Sequence, residues 1–203
     1  MSTVRQPQQE RSLRKKEKII ESGLKLFRQQ GFYNTTTTDI AKDAGVSVGI
    51  VYGYFQDKKD ILMQALHLYF RRLNAPIDEL LQRLDENYDM KKFADEFIEL
   101  SVQSHLKNRS AHEEMVAMSH LDEDVRDYFL KEEQARVETL VEKLSVWKKV
   151  RVHAYEKVHI AWNLVENLCH ECIYHQHAII DSQAMAEETK LILKHLFGGE
   201  SNE

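Results

Sequence analysis

Glycine and proline are scarce, seven and two in 203 residues. Strand-rich folds use both heavily in their turns, so the shortage favours long helices. Cysteine occurs only twice, as Cys169 and Cys172, too few for a disulfide framework. No apolar run approaches the roughly 18 residues that a membrane span needs. The opening MSTVRQPQQERSLRKKEK is polar and basic, with no apolar stretch of the secretory kind. A reducing, cytoplasmic setting is therefore expected. Also lacking are a glycine-rich phosphate loop, a nucleophile elbow and a recognisable pair of carboxylates. No enzyme, no cofactor and no membrane partner is expected.

Positive charge is short overall, with a net charge of −5, but it is unevenly placed. Residues 1–60 hold 11 Lys/Arg against 7 Asp/Glu, whereas residues 61–203 hold 17 against 26. A basic head on an acidic body suits a module that meets phosphate at one end only.

Residues 1–10 read as a flexible arm. A helical pattern starts at Ser12, with Ile20, Leu24 and Phe27 on one face, and stops before Gly31. In TTTTDIAKDAGVSVGIVYGYF, residues 35–55, Thr36 and Asp39 form an acidic capping box around a short helix that Gly45 ends. Ser47 is placed to cap a second helix, Val48 to Phe55, with Val51 and Phe55 inward. Two short helices around a glycine-containing turn make a helix-turn-helix, the second being the recognition helix. Asp57 caps a long helix from Lys58 to about Asn74, where Pro76 interrupts the pattern. Helical stretches follow at about 90–107, 110–119, 122–149, 153–177 and 183–197, with Asp181-Ser182 capping the last. No strand signal and no internal repeat is visible.

Residues 18–66, KIIESGLKLFRQQGFYNTTTTDIAKDAGVSVGIVYGYFQDKKDILMQAL, resemble the DNA-binding domain of the tetracycline-repressor (TetR) family. The marks are LF at 26–27, GF at 31–32, TT at 35–36, DIA at 39–41, AGVS at 44–47, Gly49, VYGYF at 51–55, Lys58 and IL at 61–62. The resemblance implies an all-α subunit of nine or so helices. A helix-turn-helix domain at 11–57 would be joined by a long helix to an effector-binding and dimerisation domain at 58–197, with a disordered tail at 198–203. It implies a homodimer built by the last two long helices, on which Leu168 and Leu193 are the expected contact positions. Double-stranded operator DNA and a small, hydrophobic effector are the implied partners.

By the same resemblance, Thr37, Tyr54 and Lys58 are the phosphate set. Thr37 lies in the first helical turn, where amides and the helix dipole favour an anion. Lys58 is expected to keep its charge free, because Asp57 and Asp60 serve the cap. Val48, Gly49, Ile50, Tyr52 and Gly53, with Thr38 from the preceding helix, form the expected groove face. The chain departs from the family here, since Lys, Thr and His are common where it has Val48, Ile50 and Gly53. Val48 and Ile50 suit thymine methyls, the glycines suit close backbone approach, and Tyr52 is the best base-edge donor. Arg11, Arg14, Lys15, Lys16 and Lys18 read either as a solvated basic face or as an arm on the DNA.

In the body, Phe97, Met115, Met118, Phe129 and Trp162 are the expected ligand contacts, with His105 as polar partner; ordinary core is the competing account of each. The run CHECIYHQH, residues 169–177, places Cys169, Cys172 and His175 at spacings of three. One straight helix rarely supplies a four-ligand zinc site, so buried free cysteines are the better account and no metal is assigned. The function expected is a ligand-responsive transcriptional regulator, most simply a repressor released from a palindromic operator. The alternative is a DNA-binding protein with no effector, either an architectural factor or an activator.

Overall fold

A computed structural model describes residues 6–147, 150–175 and 177–198. Among them are nine helices and no strand: α1 (Gln6–Gln30), α2 (Thr37–Ala44), α3 (Val48–Tyr52), α4 (Lys58–Leu81), α5 (Met90–Lys107), α6 (Arg109–Leu121), α7 (Glu123–Leu144), α8 (Ala154–Ile173) and α9 (Ser182–Gly198). None is long and apolar enough to cross a membrane.

The chain folds as two units. The first comprises residues up to Arg72 together with Ser110–Arg126. Its core joins Ile19, Leu24 and Phe27 of α1 to Ile40, Ala41 and Ala44 of α2, Val51 of α3, and Ile61, Leu62 and Leu66 of α4. Gly23 lets α1 and α4 close together, because a Cβ there would sit 2.7 Å from Cγ2 of Ile61. The α6 segment belongs to this unit as well. Polar links show why: Glu114 accepts a hydrogen bond from the Phe32 amide (2.6 Å), Lys59 pairs with Asp122 (2.9 Å) and Asp124 (2.5 Å), and the Tyr69 hydroxyl meets Nδ1 of His112.

The second unit holds Leu73–Arg109 and the chain from Asp127 onward. Its core gathers Ile77, Leu80, Phe93, Phe97, Leu140, Val158, Val165, Leu168, Leu193 and Phe197. Phe93 stacks on Phe97 and meets Trp147 edge-on, and the Trp147 indole donates to the Tyr88 carbonyl (3.2 Å).

Several boundaries differ from expectation. α1 begins at Gln6, inside the expected arm, because Pro7 falls in the first turn, where its missing amide has no helical partner in any case. α4 runs through Pro76 instead of stopping near Asn74. Burial of Leu73, Ile77, Leu80 and Leu81 holds the turns on either side, outweighing the lost hydrogen bond. α7 stops at Leu144, with Trp147 pinned on Phe93 and Tyr88. α8 spans Ala154–Ile173, shorter than the expected 153–177, and ends where the His170 carbonyl accepts both Tyr174 and His175 amides. The expected tail falls outside the described residues beyond Gly198.

Candidate nucleic-acid interface

α2 carries the expected capping box. The Thr36 hydroxyl accepts from the Asp39 amide (3.1 Å), and the Asp39 carboxylate accepts from the Thr36 amide (3.0 Å). These bonds from Thr36 hold the Asp39 carboxyl below the ordinary carboxylate range. At the far end Gly45 takes φ 67°, with its amide on the Lys42 carbonyl and the Val46 amide on the Ala41 carbonyl. That double closure is a Schellman motif, whose left-handed residue is best supplied by glycine. The turn is thereby fixed from both sides, and it aims α3.

Ser47 occupies the N-cap of α3, but its exposed hydroxyl makes no capping bond, contrary to expectation. α3 is helical from Val48 to Tyr52, and the amides of Tyr54 and Phe55 then both reach the Val51 carbonyl (3.0 Å each). The expected helix to Phe55 is thus a short helix plus a closing turn. Val51 and Phe55 are buried, Val48 and Ile50 are half-buried, and Gly49, Tyr52 and Gly53 are exposed. A Cβ on Gly49 would meet only open space, apart from Oγ of Ser47 at 4.0 Å. Thr38 is exposed beside this face. The Tyr52 hydroxyl lies 3.1 Å from Oγ1 of half-buried Thr37, tying the exposed face of α3 to the first turn of α2.

Tyr54 and Lys58 are more engaged than the sequence suggested. The Tyr54 hydroxyl is 2.9 Å from Oγ of Ser12 in α1. The Lys58 ammonium, expected to be free, donates to the carbonyls of Phe32 (2.6 Å) and Thr35 (2.8 Å), with that of Tyr33 at 3.5 Å. It also lies 4.3 Å from the centre of the Phe32 ring. Partial burial lowers its pKa. Asp57 does cap α4, through the Asp60 amide (2.8 Å), and Asp60 accepts in return from Gln56 (3.2 Å). With the carboxylates occupied by the cap, the ammonium turns to carbonyls of the α1–α2 connection. The basic face of α1 runs beside the same surface: Lys16 stands 5.7 Å from the Phe55 ring, and Lys18 reaches 3.5 Å from the Cβ position of Gly45.

The six expected ligand contacts are divided between the two units. Met115 and Met118 are buried on α6 in the first unit, whereas Phe97, His105, Phe129 and Trp162 belong to the second. Phe97 is core, and Trp162 packs against that core. Both ring nitrogens of buried His105 are engaged, Nδ1 with the Ser101 carbonyl (2.9 Å) and Nε2 with Glu166 (3.2 Å). Burial alone would lower the His105 pKa, but the hydrogen bond and charge of Glu166, with the Ser101 carbonyl, outweigh it and raise the value. A raised histidine pKa gives stability that is present in full below the unfolded value of about 6.5 and is lost as pH climbs through the folded value. Denaturant unfolding between pH 6 and 9 is expected to show wild type losing its advantage over His105→Gln as pH rises. Parallel curves for the two proteins would remove the charged pair.

A groove of about 460 Å³ does exist in the second unit, between α7 and α8, lined by Leu130, Glu133, Val137, Glu138, Tyr155 and Glu156 among others. None of the six expected residues lines it. Its carboxylates belong to no recognisable motif, so the sequence offered no signal for it. Cys169 is buried and Cys172 exposed, both as free thiols, and burial pushes the Cys169 thiol up.

A capped helix, a glycine turn and a short helix with an exposed outer face define a helix-turn-helix DNA-binding head. Residues 19–71 match the family model of bacterial regulatory proteins of the tetR family, so the head is similar to the DNA-binding heads of that family. The HTH-type transcriptional regulator HbdR of Aromatoleum sp. (strain CIB) is 48% identical over 52 residues, covering 26% of this chain and 23% of that protein. The chain matches only about a quarter of that relative's length. A transcriptional regulator (TerR/AcrR family) of Aquifex aeolicus VF5 aligns over 90% of this chain and 99% of its own, with TM-score 0.64 and 16% identity. A Saccharomonospora viridis protein solved in complex with choline aligns over 89% and 95%, with TM-score 0.64 and 20% identity. At such identities the likeness is one of fold.

Proposed function

We propose that this chain is a cytoplasmic, homodimeric transcriptional repressor that leaves its operator when a small molecule binds the second unit. The observation that carries the reading is the exposed Val48–Gly53 face, held against the first turn of α2 by the Tyr52–Thr37 contact. The capping box uses the amides of Thr36 and Asp39, and the amides of Thr37 and Thr38 have no intrahelical acceptor. A phosphate oxygen belongs there. Val48, Ile50 and Gly53 offer no side-chain hydrogen bond, so Tyr52 and Thr38 read base edges and DNA shape carries the rest.

Gly49 tests the reading with two readouts of opposite sign. Gly49→Ala fits the protein and improves helix propensity, so Tm is expected to hold or rise slightly. Operator affinity is expected to fall at least tenfold, because the added methyl enters the protein–DNA gap. Tyr52→Ala is expected to cost about 1–3 kcal/mol on the preferred operator and much less on random DNA. Unchanged operator affinity in both variants would take α3 off the groove.

For the effector, the α7–α8 groove combines the apolar floor of Leu130 and Val137 with Tyr155 and three glutamates. That lining suits a cation with apolar substituents better than the neutral hydrophobe first expected; the choline held by the Saccharomonospora viridis protein is of this charge class. Release by an effector requires reciprocal weakening, typically by 1–3 kcal/mol. Quaternary ammonium compounds titrated with and without operator check this, and equal affinity in both would remove induction by this class.

A further inference from the structure

Beyond the DNA head and the groove, the end of α8 gathers three metal-binding side chains that neither of those sites uses. Glu171, His175 and His177 each place a ligand atom within 4.8 Å of the other two. Nδ1 of His175 is 3.1 Å from Oε1 of Glu171, and Nε2 of His177 is 3.0 Å from Oε2. Oε2 is buried and accepts no properly directed hydrogen bond, although that imidazole nitrogen lies beside it. The two imidazoles are about half exposed, at 53% and 50%, so an ion has a path from solvent.

We infer that Glu171, His175 and His177 form a binding site for one first-row divalent transition cation of the zinc or cobalt kind. Metal–ligand bonds of about 2.0–2.2 Å set neighbouring ligand atoms roughly 3.0–3.4 Å apart, close to the two Glu171–histidine separations. Two imidazoles and one carboxylate select zinc, cobalt or nickel over magnesium or calcium, which prefer all-oxygen shells. Three protein ligands leave the remaining positions to water. The site also lies at the C-terminal end of α8, where the helix dipole favours positive charge. The chain turns there, with the Tyr174 and His175 amides both on the His170 carbonyl. A bound ion would clip the start of the α8–α9 connection onto the last turn of α8. Cys169 and Cys172 take no part, since the former is buried in the core and the latter is outside the cluster.

The test uses the full-length protein, stripped with chelator and titrated with Co²⁺ by visible absorption and with Zn²⁺ by calorimetry. One ion per chain is expected, with a visible cobalt band. Zn²⁺ at a hundredfold excess over Kd is expected to raise Tm by about 5–10 °C. Glu171→Gln and His177→Ala are each expected to weaken binding more than about 100-fold, beyond the 10–100-fold typical of outer-shell changes. Cys172→Ser is expected to bind as wild type does. The inference is overturned if no ion binds at micromolar concentration, if binding survives in Glu171→Gln/His177→Ala, or if it is lost in Cys172→Ser. DNA binding is not a readout, so failure here leaves the operator reading untouched.

Discussion

Placing glutamate at Leu168 is expected to unfold the second unit, whereas glutamates at Ile160 and Leu191 together are expected to leave it folded but monomeric. Leu168 is 0% exposed within its own chain, as is nearly true of Leu193 at 1%. Deleting a buried leucine side chain costs about 2–5 kcal/mol, and an unpaired carboxylate in its place adds several more. Their sum rivals the roughly 5–15 kcal/mol that holds a domain together. Leu168 and Leu193, expected at the subunit contact, are interior residues of a single chain. Among the apolar residues that α8 and α9 leave outside are Ile160, 50% exposed, and Leu191, 55% exposed, with Ile192 beside the latter. Charges at such positions change monomer stability by about 0.5 kcal/mol or less. If these faces pair two copies, the double variant sediments as a monomer with a wild-type circular dichroism spectrum. Operator affinity should then drop by about 10²–10⁴, the advantage that tethering one head gives the other. Such a pair of heads is expected to address half-sites about 34–36 Å apart on a palindrome. A folded double variant that still dimerises would move the interface off these faces.

The head was legible because its signals are local. Thr36 and Asp39 are three residues apart, Gly45 must supply a left-handed turn, and Asp57 caps the next helix; each interaction closes within one helical turn. Helical spacing likewise placed α5. What failed was non-local. Pro76 looked like a stop because its local cost is visible in sequence, whereas the compensating burial of Leu73, Ile77 and Leu80 depends on other helices. Leu168 and Leu193 are apolar on amphipathic helices, and periodicity does not distinguish burial inside a subunit from burial between subunits. Large apolar residues marked Phe97 and Trp162, of which Phe97 is core and Trp162 packs against it, whereas the α7–α8 groove is lined by glutamates that carry no sequence motif. The run CHECIYHQH drew attention to its thiols. A three-residue spacing put Cys169 and Cys172 near one face, yet the residues brought together are Glu171, His175 and His177, and they meet only because α8 ends after Ile173.

Lys58→Ala is expected to damage the head rather than simply remove one phosphate contact. The ammonium donates to the carbonyls of Phe32 and Thr35 from the first turn of α4, so it fastens the α1–α2 connection that delivers Thr36 and Thr37. Hydrogen bonds involving a charged group contribute about 1.5–3 kcal/mol each, and partial exposure places the loss toward the lower end, about 2–4 kcal/mol for the pair. Operator affinity should fall on every sequence because Thr37 and its Tyr52 partner lose their frame. The log–log salt dependence of the remaining binding should keep its slope if Lys58 acts chiefly through those carbonyls. Lys18→Ala provides the contrast. Lys18 is exposed beside Gly45, and removing an ammonium that meets phosphate lowers the slope by about one while leaving Tm nearly unchanged. Thermal melts and salt-dependent binding isotherms of the two variants separate the roles. A Lys58→Ala protein with wild-type Tm and a slope reduced by one would show that the ammonium leaves its carbonyls for the DNA backbone.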